Sequence, residues 1–122
     1  MGLKHDTKKS FSFAMSGMRQ AIATEPNLRI HFGFAAAAII LALILGLTAI
    51  EWVIILSVIF YVISLELLNT VIEALVNMVS PQIRKEAKIA KDVSAAVVFC
   101  AAVLSVFVGI FLFLPKIIAL VR

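Results

Sequence analysis

Three long apolar runs, at residues 32–50, 52–79 and 93–114, decide most of what this chain can become. Each is near or above the roughly 20 helical residues that cross a hydrocarbon core of about 30 Å. In lipid, backbone N–H and C=O groups must be satisfied inside the segment, so runs of this kind cross as helices. The 122 residues are 63% hydrophobic and the mean hydropathy is +1.13, whereas soluble domains lie near about 45–50% apolar. The sequence therefore predicts an all-α integral membrane protein with a single domain over 1–122. A separate soluble catalytic domain has no room.

The expected elements are a surface helix over about 4–24 and transmembrane helices over about 28–50, 52–79 and 90–114. In the first, Phe11, Met15, Met18 and Ile22 recur at helical spacing while Lys8, Lys9, Ser12, Ser16 and Arg19 fall mostly elsewhere. That pattern fits an amphipathic helix lying on anionic headgroups, with a disordered basic tail as the alternative. The first residues are polar, so no cleavable signal peptide is expected. Pro26 suits the first turn of a new helix. Gly46-Leu47-Thr48, followed by Glu51 and an interfacial Trp52, predicts a very short turn, and Pro115-Lys116 is the expected end of the third span.

Charge sets the expected orientation. Lys4, Lys8, Lys9, Arg19 and Arg29 precede the first span and Arg84, Lys85, Lys88 and Lys91 follow the second, whereas the first turn holds only Glu51. The positive-inside rule then places the N-terminus in the cytoplasm and the C-terminus outside. The net charge of +4 has no interleaved stacking aromatics, so a membrane surface and phosphates are expected partners and nucleic acid is not. Cys100, alone in the chain, allows no disulfide framework and is expected to be packing.

Against this background Glu66, Asn69, Glu73 and Asn77 form one polar stripe on the second span, flanked by Thr70. A central acidic residue in a membrane helix costs roughly 2.5–3.5 kcal/mol, so such residues tend to be functional. The bland reading, a hydrogen-bonded interhelical seam, does not require two carboxylates. Counting about 1.5 Å per residue from Trp52 places Glu66 near 21 Å, inside the core, and Glu73 near 31 Å, at its boundary. Glu25, Arg29, His31, Lys88, Lys91 and Asp92 are expected at the same end. Glu25 and Glu73 suit Mg²⁺, a hard cation that takes one or two carboxylates plus phosphates. Lys91, with Lys88 and Arg29, can neutralise phosphates, and Glu66 suits a general base toward a hydroxyl arriving from lipid. Together these parts suit phosphoryl transfer from a water-soluble donor to a lipid alcohol. The scattered glycines provide neither a Walker loop nor a kinase glycine-rich loop.

Three blocks, Glu25-Pro26-Asn27-Leu28-Arg29-Ile30-His31, Glu66-Leu67-Leu68-Asn69-Thr70-Val71-Ile72-Glu73 and Ala90-Lys91-Asp92-Val93-Ser94-Ala95-Ala96, resemble the signatures of the small bacterial membrane diacylglycerol kinase family. Arg29-Ile30-His31 and Leu114-Pro115-Lys116 resemble its Gram-positive, undecaprenol kinase branch. The resemblance implies an ATP- and Mg²⁺-dependent lipid kinase of the bacterial cytoplasmic membrane, a homotrimer with active sites shared between subunits, acting on undecaprenol or, alternatively, diacylglycerol. It implies Glu66 as catalytic base, Asn69 as a polar site residue, Glu25 and Glu73 as metal ligands, and Lys91 and Asp92 as nucleotide and phosphate contacts. Asn77 departs from the Asp common in the family, and an amide there is a weaker nucleotide contact.

Independently of the resemblance, Ala101, Ser105 and Gly109 offer a small-residue face for close helix approach, between subunits or within one. His31 is expected to meet headgroups, Asp6, Glu51 and Glu86 to be solvated charges, and Met15 and Met18 to be anchor packing. Two rival classes remain, a small ion or proton carrier and a membrane scaffold. A carrier requires polar groups toward both faces.

Overall fold

The computed structural model describes residues 6–82 and 84–122. Lys4, the expected start of the surface helix and one of the N-terminal charges, lies outside them. Among the described residues the chain forms four α-helices, α1 (Thr7–Thr24), α2 (Pro26–Leu45), α3 (Ala49–Val79) and α4 (Lys85–Val121). The last three are each long and apolar enough to cross a membrane.

Local chemistry sets each boundary. Asp6 opens α1 by accepting from the Lys8 amide at 3.3 Å. A single residue, Glu25, separates α1 from α2, and its amide closes α1 on the Ala21 carbonyl at 2.8 Å. Pro26 then starts α2 at a position where no amide hydrogen is needed.

The first span was expected to run to 50 but ends at Leu45, because Gly46 adopts a left-handed φ of 67°. The amides of Gly46 and Leu47 both return to the Ala42 carbonyl, at 3.1 and 3.4 Å. Thr48 and Glu51 then form a reciprocal capping box, with the Thr48 amide donating to Glu51 at 2.8 Å. Glu51 is therefore a cap rather than a free surface charge, and Ala49 and Ile50 already belong to α3.

The third span departs from expectation at both ends. It starts at Lys85, so Lys88 stands on the helix rather than in the connection before it. Pro115 lies inside α4, which continues to Val121. Proline is tolerated within membrane helices where neighbouring groups take up the freed backbone. Here the next residue, Lys116, reaches α3 and pairs with Glu51 at 3.1 Å, holding the helix beyond the proline.

α3 and α4 share the longest interface, α2 leans on both, and α1 touches α2. At the end where α1 meets α2, Ala21, fully enclosed Leu28 and Ile63 pack with Phe32, Ile59 and Leu67. At the far end Ala42, Leu47 and Ile55 pack with Trp52, Leu112 and Phe113. The buried face of α4 reads Ser94, Val98 and Ala101, steps of four and three residues. Cys100 falls outside that row and is exposed on the chain rather than packed. Ala101 is buried within the single chain, with Ser105 and Gly109 half-buried below it.

Gly46→Ala should place a Cβ in the left-handed region and lower stability by about 1 kcal/mol, detectable as reduced thermal stability in detergent.

Candidate active site

One helix face gathers the polar residues. The row Glu66, Asn69 and Glu73 on α3 turns inward, with Glu66 only 2% exposed and Asn69 8%. Glu73, a turn further on, is half-buried, and Asn77 is exposed. The stripe therefore runs from the interior to the surface at the same end as Glu25. Thr70 donates to the Glu66 main-chain carbonyl at 3.1 Å, which keeps its hydroxyl within the helix.

The neighbouring helices complete the row. From α2, His31 Nε2 lies 3.6 Å from Glu66 Oε2. His31 was expected at the headgroups but instead faces the buried carboxylate, because it stands three residues beyond the Leu28 plug that fixes how α2 is rotated. From α4, Ser94 Oγ donates to Asn69 Oδ1 at 2.6 Å. Asn69 Nδ2 in turn donates to Glu73 Oε1 at 3.3 Å. Glu25 and Glu73 are both close enough for their charges to act on Glu66.

Other predicted site residues have different occupations. The Arg29 guanidinium donates to the carbonyls of Ile22 and Ala23, at 2.9 and 3.1 Å, and so caps the C-terminal end of α1. Cations are favoured there by the helix dipole. Arg29 holds the α1–α2 corner that carries Glu25 rather than pointing into the stripe. Lys88 and Asp92 pair with each other one turn apart on exposed α4. Lys91 is half-buried on the row that leads to Ser94. Sequence reasoning gave Ser94 no role. Its one signal was a hydroxyl in the row 91, 94, 98 and 101, which becomes informative only once that row is known to face α3.

Next to the polar row lies an apolar cavity of about 320 Å³ whose lining includes Ile30, Phe34, Ile55, Val62 and Ser105. His31 also lines it, so the imidazole that reaches Glu66 forms part of the cavity wall. Among the described residues no three His, Cys, Asp or Glu side chains converge as a metal cage. Glu25 and Glu73, both near enough to act on Glu66, are oxygen donors of the type that a hard cation takes.

A bundle of three membrane-length helices with a buried carboxylate beside an apolar cavity suits chemistry on a lipid. Over residues 12–113 the sequence matches the family described as prokaryotic diacylglycerol kinase, and the chain belongs to that family. It is 41% identical over 108 residues to an undecaprenol kinase of Bacillus subtilis, covering 88% of each chain. It is also 41% identical over 112 residues to a diacylglycerol kinase of Synechocystis, covering 91% of this chain and 64% of the relative. A diacylglycerol kinase of Haemophilus influenzae is 32% identical over 100 residues, covering 82% of this chain and 84% of the relative. The protein is thus a membrane lipid kinase, a phosphotransferase with an alcohol acceptor.

The capping role of Arg29 predicts that Arg29→Ala speeds amide hydrogen exchange in the last turn of α1 by about tenfold, the scale of a lost charged hydrogen bond. Unchanged exchange together with weakened nucleotide binding would instead return Arg29 to the phosphates.

Proposed function

We propose that this kinase transfers the γ-phosphoryl group of ATP to undecaprenol at the cytoplasmic face of the bacterial cytoplasmic membrane. The observation that carries this reading is Glu66, a carboxylate buried within the bundle and joined through His31 to an apolar cavity. The undecaprenol acceptor is supported by the Bacillus subtilis relative, whose match extends over 88% of both chains. Diacylglycerol is the second reading, supported by the equally identical Synechocystis relative.

In the proposed reaction the lipid hydroxyl oxygen attacks the γ-phosphorus, and the bond from that phosphorus to the bridging oxygen of ADP breaks. Glu66 takes the hydroxyl proton. Asn69 aligns Glu73 beside the transferring group, and Lys91 meets phosphate charge from the α4 side. Lys88, Asp92 and exposed Asn77 are the more peripheral nucleotide contacts. Glu25 and Glu73 would hold Mg²⁺, which would supply positive charge against the donor phosphates.

The single domain works as a homotrimer in this reading. The support is the apolar surface a lone chain leaves open, including Phe34 at 72%, Phe60 at 68%, Phe99 at 69% and Phe111 at 74% exposure, which lipid and neighbouring subunits would cover. α1 lies along the membrane surface, supported by Phe11 and Met15, exposed at 68% and 49%. The basic N-terminal and α3–α4 segments support a cytoplasmic N-terminus and an outer C-terminus.

Side-by-side assays in mixed micelles should show ATP-dependent phosphorylation of undecaprenol exceeding that of diacylglycerol. The reverse order would make diacylglycerol the acceptor. Glu66→Gln should retain the assembled, folded protein and lose transfer by about 10³-fold or more, a loss within the scale of removing a general base. Near-wild-type turnover by that variant would remove Glu66 from the chemistry.

A further inference from the structure

We infer that Ser94 is a positioning residue for phosphoryl transfer, acting through Asn69 on Glu73. The inference rests on the site reading above, in which Asn69 and Glu73 serve the reaction.

The hydrogen-bond directions leave one arrangement. Ser94 Oγ and Asn69 Oδ1 are both oxygens 2.6 Å apart, and an amide oxygen cannot donate, so the serine hydroxyl must. That leaves the Asn69 NH₂ facing Glu73 Oε1, where it donates at 3.3 Å. Turning the amide over would set its oxygen against a carboxylate oxygen, two acceptors face to face. Glu73, an acceptor only, therefore selects the amide orientation, and the Ser94 hydroxyl satisfies the amide oxygen left on the other side. Both Ser94 and Asn69 are nearly closed to solvent, 6% and 8% exposed, so water is poorly placed to replace a missing partner.

The contact also joins two helices. Ser94 and Asn69 are 25 residues apart in sequence, and Ser94 lies one turn from half-buried Lys91 on the same face of α4. One hydroxyl thus holds the amide that steadies Glu73 and ties α4 to α3 one turn from Lys91. Ser94 need not touch the substrate to affect transfer.

The test uses the full chain in detergent micelles. The Asn69 side-chain amide is assigned in ¹H–¹⁵N spectra as the NH₂ pair missing from Asn69→Ala. Ser94→Ala should shift that pair and speed its exchange with solvent about tenfold, and should lower kcat by a similar factor with a smaller change in lipid KM. Ser94→Thr, which keeps the hydroxyl, should restore both readouts. Gel-filtration profiles matching wild type show that the variants are folded, and if Ser94→Ala does not fold, Ser94→Cys, a much weaker donor, takes its place. An unmoved amide with normal turnover overturns the relay and leaves the roles of Glu66 and Glu73 standing. A displaced amide with undiminished turnover overturns the positioning role and removes Asn69 from the site. Equal loss in the Ala and Thr variants shows that bulk at 94, not the hydroxyl, matters, and also overturns the inference.

Discussion

Keeping a carboxylate inside an apolar bundle is the constraint from which the rest of the structure follows. Glu66 is nearly inaccessible in a helix otherwise built from Val, Ile, Leu and Phe, and a charge in such surroundings is costly unless partners stand close by. The fold gathers the partners at one end. α2 brings His31 to Glu66, and α4 brings Ser94 to the next residue of the row. Leu28, enclosed between α1 and α3, sets the rotation of α2 that makes the first of these contacts possible. Among the described residues every buried side-chain nitrogen or oxygen has a hydrogen-bond partner. A bundle this small has placed its polar groups with little to spare.

The far end is built differently, and the contrast bears on function. There the polar groups are consumed locally: Thr48 and Glu51 cap α3, and Lys116 neutralises Glu51. Around that pair Ala42, Leu47 and Ile55 pack with Trp52, Leu112 and Phe113 into an apolar cluster. No polar row leads from Glu66 to this end among the described residues, which is poor construction for an ion carrier and good construction for a one-sided reaction. At the opposite end Glu66 is buried and Glu73, further along α3, is half-buried, so the polar row reaches the surface on that side.

Much of this was legible in the residues. Long uncharged runs have little choice in lipid, and the spacing of Glu66, Asn69, Glu73 and Asn77 marks one face of any helix that contains them. The misplaced boundaries have local causes: Gly46 reverses the chain before the apolar run is finished, and Pro115 does not stop a helix that Lys116 ties to its neighbour. What stayed hidden were contacts between helices. That His31 meets Glu66, that Ser94 meets Asn69 and that Arg29 turns back to α1 depend on how each helix rotates about its own axis. Rotation is set by plugs such as Leu28, whose importance is invisible until the packing is known.

The three long helices are unequal, and the inequality has a mechanical meaning. At 20 residues α2 is about 30 Å long, the thickness of the hydrocarbon it must cross, whereas 37-residue α4 is about 55 Å. The longer helices can tilt or overhang as a bilayer thins or thickens. α2 has no such reserve: the Arg29-clamped corner closes one end and left-handed Gly46 the other. It is the strut of fixed length in the bundle, and it sets how far the corner that carries Glu25 stands from the Gly46 turn.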